Sequence, residues 1–366
     1  MTSGVSAVEK IELTAKIKSV LSGNGFELAG VASVVPQPQH IEYWKRWIGA
    51  GHHGEMNYLE NPVRESIQKW WPEARSVVVA ALFYKASSTQ KENGTGTGFG
   101  RIADYAVYPE YHKIIQKKLK KAIKEIQIIE PGFEAQPFVD SSPVLERPYA
   151  QMAGLGWIGK NTMLINKRKG SRFFLAGMAV NVELQPDQPD PMNHCGTCTR
   201  CLDACPTRCL TPHQMDASRC IAYLTIEKRT IPIEPELSQK MGNWVFGCDI
   251  CQDVCPFNGK RGVEDEMPKD WEPQISAGID LKIALSWTEE DYRTYFTGLP
   301  VRRAKWKQFL RNALIAAKNS RDPSLIPYME HWANSEDAEI KAAALSALGQ
   351  GPGLIARHAG AAKTKC

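Results

Sequence analysis

The chain has 366 residues, 43% hydrophobic and 23% charged, with a formal net charge of +5. This leaves room for two or three domains with ordinary cores, and so mild a charge does not by itself argue for nucleic acid. The opening MTSGVSAVEKIELTAKIKSV lacks a basic segment followed by an apolar run, so no signal peptide is expected, and no stretch approaches the roughly 20 apolar residues of a membrane span. The expectation is a cytoplasmic protein with no membrane contact. In that compartment clustered cysteines bind metal or do redox chemistry rather than form disulfides.

The first helix carries a capping box at Ser6 and Glu9 and an apolar side of Ile11, Ala15, Val20 and Leu21; the GNG at 23–25 ends it. FELAGVASVV reads as a strand. RSVVVAALFY, residues 75–84, is a continuous β-branched and apolar run, the mark of a strand buried on both faces. KENGTGTGFG is a Gly-rich loop without the GxxxxGK[ST] spacing of a phosphate cradle. A long helix over 109–129 sets Ile115, Leu119, Ala122, Ile123 and Ile126 on one side. Lys113, Lys117, Lys118, Lys120, Lys121 and Lys124 form its other face, read as solvated.

A strand EAQPFVD, a turn SSP and a helix VLERPYAQMAG follow, with Ser142 before Pro143 as the helix start. TMLI and FFLAGMAVNVEL are further strands. Strands alternating with helices predict an α/β layer structure over 1–190. The cysteine-rich segment spans 191–262, and a linker containing EDEMPKDWEP covers 263–294. Residues 295–366 are helical, with paired Ala- and Leu-rich helices of HEAT type or, alternatively, a simple bundle.

The cysteines have a distinctive spacing. Cys195-x2-Cys198-x2-Cys201-x3-Cys205-Pro is the run of bacterial two-cluster ferredoxins, and Cys248-x2-Cys251-x3-Cys255-Pro repeats it one cysteine short. Cys220 is the candidate for the missing ligand. By the ferredoxin rule Cys195, Cys198, Cys201 and Cys255 hold one [4Fe–4S] cluster, and Cys205, Cys220, Cys248 and Cys251 the other. Zinc sites use four thiolates in C-x2-C pairs and do not need a triple run with Cys-Pro. Cys209 is left as a small buried residue and Cys366 as a terminal thiol. Two clusters carry single electrons, and the long segments on either side imply something that receives them.

Asp140 ends an apolar strand, where α/β sheets place ligands. A carboxyl there can donate a proton if an apolar pocket raises its pKa, although a capping or turn role suits an isolated Asp as well. The glycines of AGLGWIGKN let backbone approach a large flat ligand closely. Asp140 with the SSPVLERPYAQMAGLGWIGKNTMLI that follows it, then both Cys-Pro runs, RCIAYLTIEKR and RRAKWKQFLRNALIAAKN, resembles the epoxyqueuosine reductases over nearly the whole chain.

That resemblance implies an oxidoreductase that reduces the epoxide of epoxyqueuosine at the tRNA wobble position to queuosine, the last step of queuosine synthesis. It implies cob(I)alamin fed by two [4Fe–4S] clusters, with Asp140 as proton donor. It also implies an external low-potential electron donor and a monomer. The fold expected is an α+β or α/β cobalamin-binding core, a ferredoxin-like double-cluster domain and a C-terminal α-helical HEAT-like region. Gly156, Lys160, Asn161 and Leu164 fall in the block that lines the corrin. Arg64, Tyr105 and Asp249 are further cobalamin candidates. The family's YA-x-G-x-D-YH run is here YAVYPEYH, keeping Tyr105, Ala106, Tyr111 and His112 but not the Gly and Asp.

In VRRAKWKQFLR the cations Arg302, Arg303, Lys305, Lys307 and Arg311, interleaved with Trp306 and Phe309 and without an acid, suit phosphates and unpaired bases of tRNA. The competing readings are a cobalamin-dependent reductive dehalogenase-like enzyme, for which the twin-arginine signal is missing, and a non-enzymatic ferredoxin-like carrier.

Overall fold

The computed structural model describes residues 6–86, 98–231, 233–259 and 271–349. In chain order the strands are β1 (Leu28–Ser33), β2 (Ser76–Phe83), β3 (Phe99–Ile102), β4 (Ala135–Phe138), β5 (Trp157–Ile158), β6 (Leu164–Ile165), β7 (Phe173–Val180), β8 (Leu210–Thr211), β9 (Gln214–Met215), β10 (Trp244–Phe246) and β11 (Gly278–Asp280). Two compact units form, one from within residues 1–85, 110–216 and 250–272, the other from within 86–109, 217–249 and 273–366.

The first unit is built on a sheet of order β1–β2–β7–β4 in which every neighbouring pair is antiparallel. β2 and β4 therefore run the same way, as a helical crossover requires, but β7 lies between them and opposes both. This is α+β architecture, and it follows from a late strand inserting into the gap. All eight residues of β2 are buried, which is why its sequence is a run and not an alternation. Val77, Val79, Ala81 and Phe83 pack with Tyr149, Ala150 and Met152 of the helix Glu146–Met152. The helices Ala7–Gly23 and Tyr111–Ile129 lie against β1, β4 and β7. The first keeps its Ser6–Glu9 capping box, and the second buries Ile115, Leu119, Ala122 and Ile126 at helical spacing.

The second unit has a sheet of order β10–β3–β11, with β3 parallel to β10 and antiparallel to β11. The Gly-rich loop expected over 91–100 lies outside the described residues as far as residue 97; Phe99 and Gly100 open β3. The segment expected as a linker contains β11 and the helices Leu281–Ser286 and, running one residue past it, Glu289–Tyr295. The helix Trp306–Ser320 is the hub, with every residue from Gln308 to Ala317 buried. The helices Ile326–Ala333 and Ala338–Ala347 pack on each other, and the latter packs on the hub.

Two residues read as RNA contacts belong to this core. Phe309 is fully buried against the rings of Tyr292 and Phe296. Arg311, 1% exposed, donates to the carbonyls of Leu224 (2.6 Å), Lys228 (3.0 Å) and Thr230 (3.2 Å), while Asn312 donates to those of Thr225 and Val245 (both 2.9 Å). A guanidinium fits here because the helix Ile221–Ile226 ends with carbonyls lacking an intrahelical partner, at its negative pole. The positive charge of Arg311 is thus spent inside the fold, not on a nucleic acid. Arg311→Leu is expected to cost about 3 kcal/mol or more by orphaning three carbonyls, seen as a lower thermal midpoint, with RNA affinity of the folded fraction unchanged.

Candidate active site

Asp140 lies two residues past β4 with φ +46°, a left-handed conformation that Asp tolerates better than most residues. Its backbone N–H donates to Glu146 Oε1 (2.6 Å). Its Oδ2 accepts the Tyr111 hydroxyl (2.7 Å) and faces His112 Nε2 (3.0 Å). The side chain remains 60% exposed, open to a reactant. Tyr111 and His112 reach it because Glu110 caps their helix. The Glu110 carboxylate accepts the His112 backbone N–H (3.3 Å) and meets His112 Nδ1 (2.5 Å). The Tyr111 ring is stacked between His112 and Phe174, centroids 4.1 and 4.2 Å away.

These contacts set the protons. Burial disfavours a charge on His112, but hydrogen bonds to Asp140 and Glu110 lift it to about 9. Burial, and after it the Asp140 charge, pushes Glu146 up to about 8, so two neighbouring carboxyls are not both ionised at neutral pH. Arg64 is buried at the same loop, donating to the carbonyls of Tyr58 (3.5 Å) and Ser142 (3.4 Å), with its charge acting on Glu146 and Asp140. A cavity of about 180 Å³ opens beside Asp140, walled by Met163, Leu164, Phe173, Phe174 and Leu175.

A second cavity in the same unit, about 160 Å³, is bordered by Cys195, Cys198, Cys201 and Cys255 with Lys160 and Asn161. Burial pushes the Cys201 and Cys255 thiols up, and the charges of neighbouring cysteines, Cys195 and Cys198 among them, push both further. Among the described residues no three His, Cys, Asp or Glu side chains are gathered tightly enough to hold a single metal ion. Cys205 and Cys255 are extended, at φ −70° and −73°, as a following proline demands. Cys205 Sγ lies 3.5 Å from Cys209 Sγ, and Cys209 is buried. Cys251 falls in this unit's segments, and Cys220 and Cys248 in those of the other unit. Lys160 Nζ donates to the carbonyls of Gly196 (2.7 Å) and Cys198 (3.0 Å), and Trp157 Nε1 to Cys195 Sγ (3.5 Å).

The remaining candidates are dispersed. Gly156 precedes β5, and a Cβ there would lie 2.1 Å from the Ile165 carbonyl oxygen, so the tight β5–β6 hairpin itself demands glycine. Tyr105 and Asp249 belong to the second unit, where Asp249 is buried and accepts the Asp104 N–H (2.7 Å) and the Tyr105 ring meets Phe246. In the basic run, Arg303 pairs through two nitrogens with Glu227 (2.9 and 3.2 Å) and Lys307 with Asp337 (2.5 Å), while Arg302 and Lys305 are exposed. Sequence reasoning gave no role to Glu110, His112 or Glu146. For Glu110 a signal existed: it stands where the family run has Asp and keeps a carboxylate there.

His112 and Glu146 hold protons more tightly folded than unfolded. Their stabilisation is complete below the unfolded values and is lost between 6.5 and about 9 for His112 and between 4.5 and about 8 for Glu146. The thermal midpoint should fall as pH rises through these windows. Glu146→Gln should flatten the fall below about pH 8, and an unchanged slope in unfolding scans would contradict the assignment.

The comparisons agree on one family. A profile described as a 4Fe-4S double cluster binding domain matches residues 194–258, and one described as epoxyqueuosine reductase QueG, DUF1730, matches residues 64–141. The epoxyqueuosine reductase of Pseudomonas aeruginosa is 37% identical over 336 residues, 90% of this chain and 91% of that protein. That of Gloeobacter violaceus is 38% identical over 84% of this chain and 97% of its own. The structure of epoxyqueuosine reductase from Streptococcus thermophilus matches with a TM-score of 0.83 at 27% identity, covering 97% of this chain and 96% of that one. An epoxyqueuosine reductase crystallised with an epoxyqueuosine-modified tRNA-Tyr stem loop matches with a TM-score of 0.82 at 27% identity, covering 93% and 90%. By sequence and by fold this chain belongs to the epoxyqueuosine reductases, a family of oxidoreductases.

Proposed function

We propose that this chain reduces epoxyqueuosine at the wobble position of tRNA to queuosine, with Asp140 protonating the departing oxygen and with cobalamin and two [4Fe–4S] clusters as cofactors. The observation that carries this reading is the exposed Asp140 carboxyl at a cavity that sets an apolar wall against Tyr111, Glu146, Arg147 and Ser171, with Tyr111, His112 and Glu146 hydrogen-bonded to Asp140. Opening an epoxide leaves a developing alkoxide, and an acid positioned beside it contributes roughly 10²–10⁴-fold.

The apolar wall of Leu164, Phe173, Phe174 and Leu175 suits the face of a macrocycle, with Asp140 at its edge. Bound cobalamin would supply a reducing cobalt centre, and the clusters the single electrons that recharge it. Arg64 supports the Asp140 loop from behind. Lys160, Asn161 and Gly156 shape the hairpin next to that wall, and Tyr105 and Asp249 enter from the family resemblance alone. Cys195, Cys198, Cys201 and Cys255 would hold one cluster. Cys205, Cys220, Cys248 and Cys251 are assigned to the other from ferredoxin spacing. Lys160 places a cation on the first cysteine loop, opposing the charge that four thiolates bring.

On the second unit, exposed Arg302 and Lys305, with the half-buried Trp306, are the tRNA contacts proposed, and the C-terminal helices are read as one HEAT-like pair. Arg303 and Lys307, already paired with acids, have less charge to offer.

The decisive assay is anaerobic incubation with a low-potential reductant, cobalamin and tRNA carrying epoxyqueuosine, then nucleoside mass spectrometry. Loss of one oxygen atom that depends on cobalamin is expected. Asp140→Asn should slow product formation by about a hundredfold or more; wild-type turnover would remove the acid role. Arg302→Glu with Lys305→Glu should weaken stem-loop binding and reduce the slope of log affinity against log salt by about 0.7–0.9 per lost phosphate contact. An unchanged slope would move the tRNA surface elsewhere.

A further inference from the structure

Removing an epoxide oxygen as water breaks two C–O bonds, forms a C=C bond and consumes two electrons and two protons. The electrons come from the external low-potential donor. Asp140 carries one proton at a time, so a second must reach it during turnover. This inference rests on the reading of Asp140 as the acid.

The His112 ring bridges two carboxyls, Glu110 at Nδ1 (2.5 Å) and Asp140 at Nε2 (3.0 Å). A neutral imidazole has one N–H and one lone pair, so between two carboxylates its lone pair would face an oxygen. The row Glu110–His112–Asp140 is satisfied only with one more proton than a neutral ring carries. We propose that His112 is the proton store of Asp140: the proton on Nε2 passes to Asp140 Oδ2, from there to the departing oxygen, and the ring is reloaded from solvent.

In that transfer the Nε2–H bond breaks as Oδ2–H forms. His112 is left neutral, with its remaining proton on Nδ1 against Glu110. Its side chain is 29% exposed, which gives water a route back to the ring. The charged groups around it are Glu110 and Lys113 on its own helix, Asp140 and Glu146 beyond β4, and, acting on those two carboxyls, Arg64. The high affinity of the ring for its proton accords with a store that is full at neutral pH. His112 acts through Asp140 and does not itself touch the reactant, so it is a positioning residue.

The test is the single-turnover rate against pH, measured anaerobically with excess reductant and cobalamin. In the wild-type enzyme the rate should fall on an alkaline limb as His112 empties. His112→Gln keeps an N–H donor toward Asp140 but carries no mobile proton. It should lose the limb and slow the reaction at neutral pH by about tenfold or more, with cluster absorbance and stem-loop affinity unchanged. Glu110→Gln keeps the helix cap but removes one charge from the ring, and should move the limb to lower pH. A His112→Gln enzyme with wild-type rate and an intact limb overturns the proposal. If that variant loses its clusters, Glu110→Gln decides, and an unmoved limb overturns it. Asp140→Asn separates the two readings. If it is inactive while His112→Gln is unimpaired, only the store is lost; if it turns over normally, the acid assignment goes with it.

Discussion

The site depends on a helix N-terminus and a strand end converging on one point. Glu110 caps the helix that begins at Tyr111, and that cap places Tyr111 and His112 at the Asp140 carboxyl just beyond β4. Once Asp140 is there, Glu146 cannot also ionise cheaply. It is partly buried, it accepts the Asp140 N–H, and it holds its own proton until about pH 8. The left-handed backbone at Asp140 is kept by that contact and by the two hydrogen bonds to Oδ2. Removing any one of them leaves the carboxyl with less reason to stay aimed at the cavity.

Much of the scaffold was legible because its signals are local. The capping box at Ser6 and Glu9, the buried positions of the Tyr111–Ile129 helix and the unbroken run of β2 are properties of contiguous residues, and each appears where it was read, except that Ile123 of the helix is only half-buried. The cysteine spacing was legible for the same reason. The Cys-Pro pairs impose an extended backbone whatever surrounds them, and the four thiols assigned to the first cluster border one cavity.

What was illegible is nonlocal. The sheet of the second unit joins residues 99–102, 244–246 and 278–280, three short segments whose pairing no window of sequence displays. The insertion of β7 between β2 and β4 is equally invisible along the chain. Which cations of the basic run at 301–311 stay available was illegible for a related reason. It contains no acid, yet Glu227 and Asp337 come from elsewhere to neutralise Arg303 and Lys307, and the carbonyls closing another helix take Arg311 inside. A charge count along a run cannot separate cations offered to solvent from cations consumed by the fold.

The narrow AGLGWIGKNTMLI block has a physical explanation in the β5–β6 hairpin. Met163 and Leu164 face the cavity at Asp140, whereas Lys160, Asn161 and Ile165 face the cysteine cavity. Consecutive residues of a strand point to opposite sides, so Leu164 and Ile165 serve two sites from one strand. The hairpin is thus a single thin partition between the cavity at Asp140 and the thiol-lined one, and its thinness requires Gly156, where any Cβ would collide with the Ile165 carbonyl. Such a wall keeps the two cavities close while giving each its own lining. Substitutions in the block are therefore expected to act on both cavities at once.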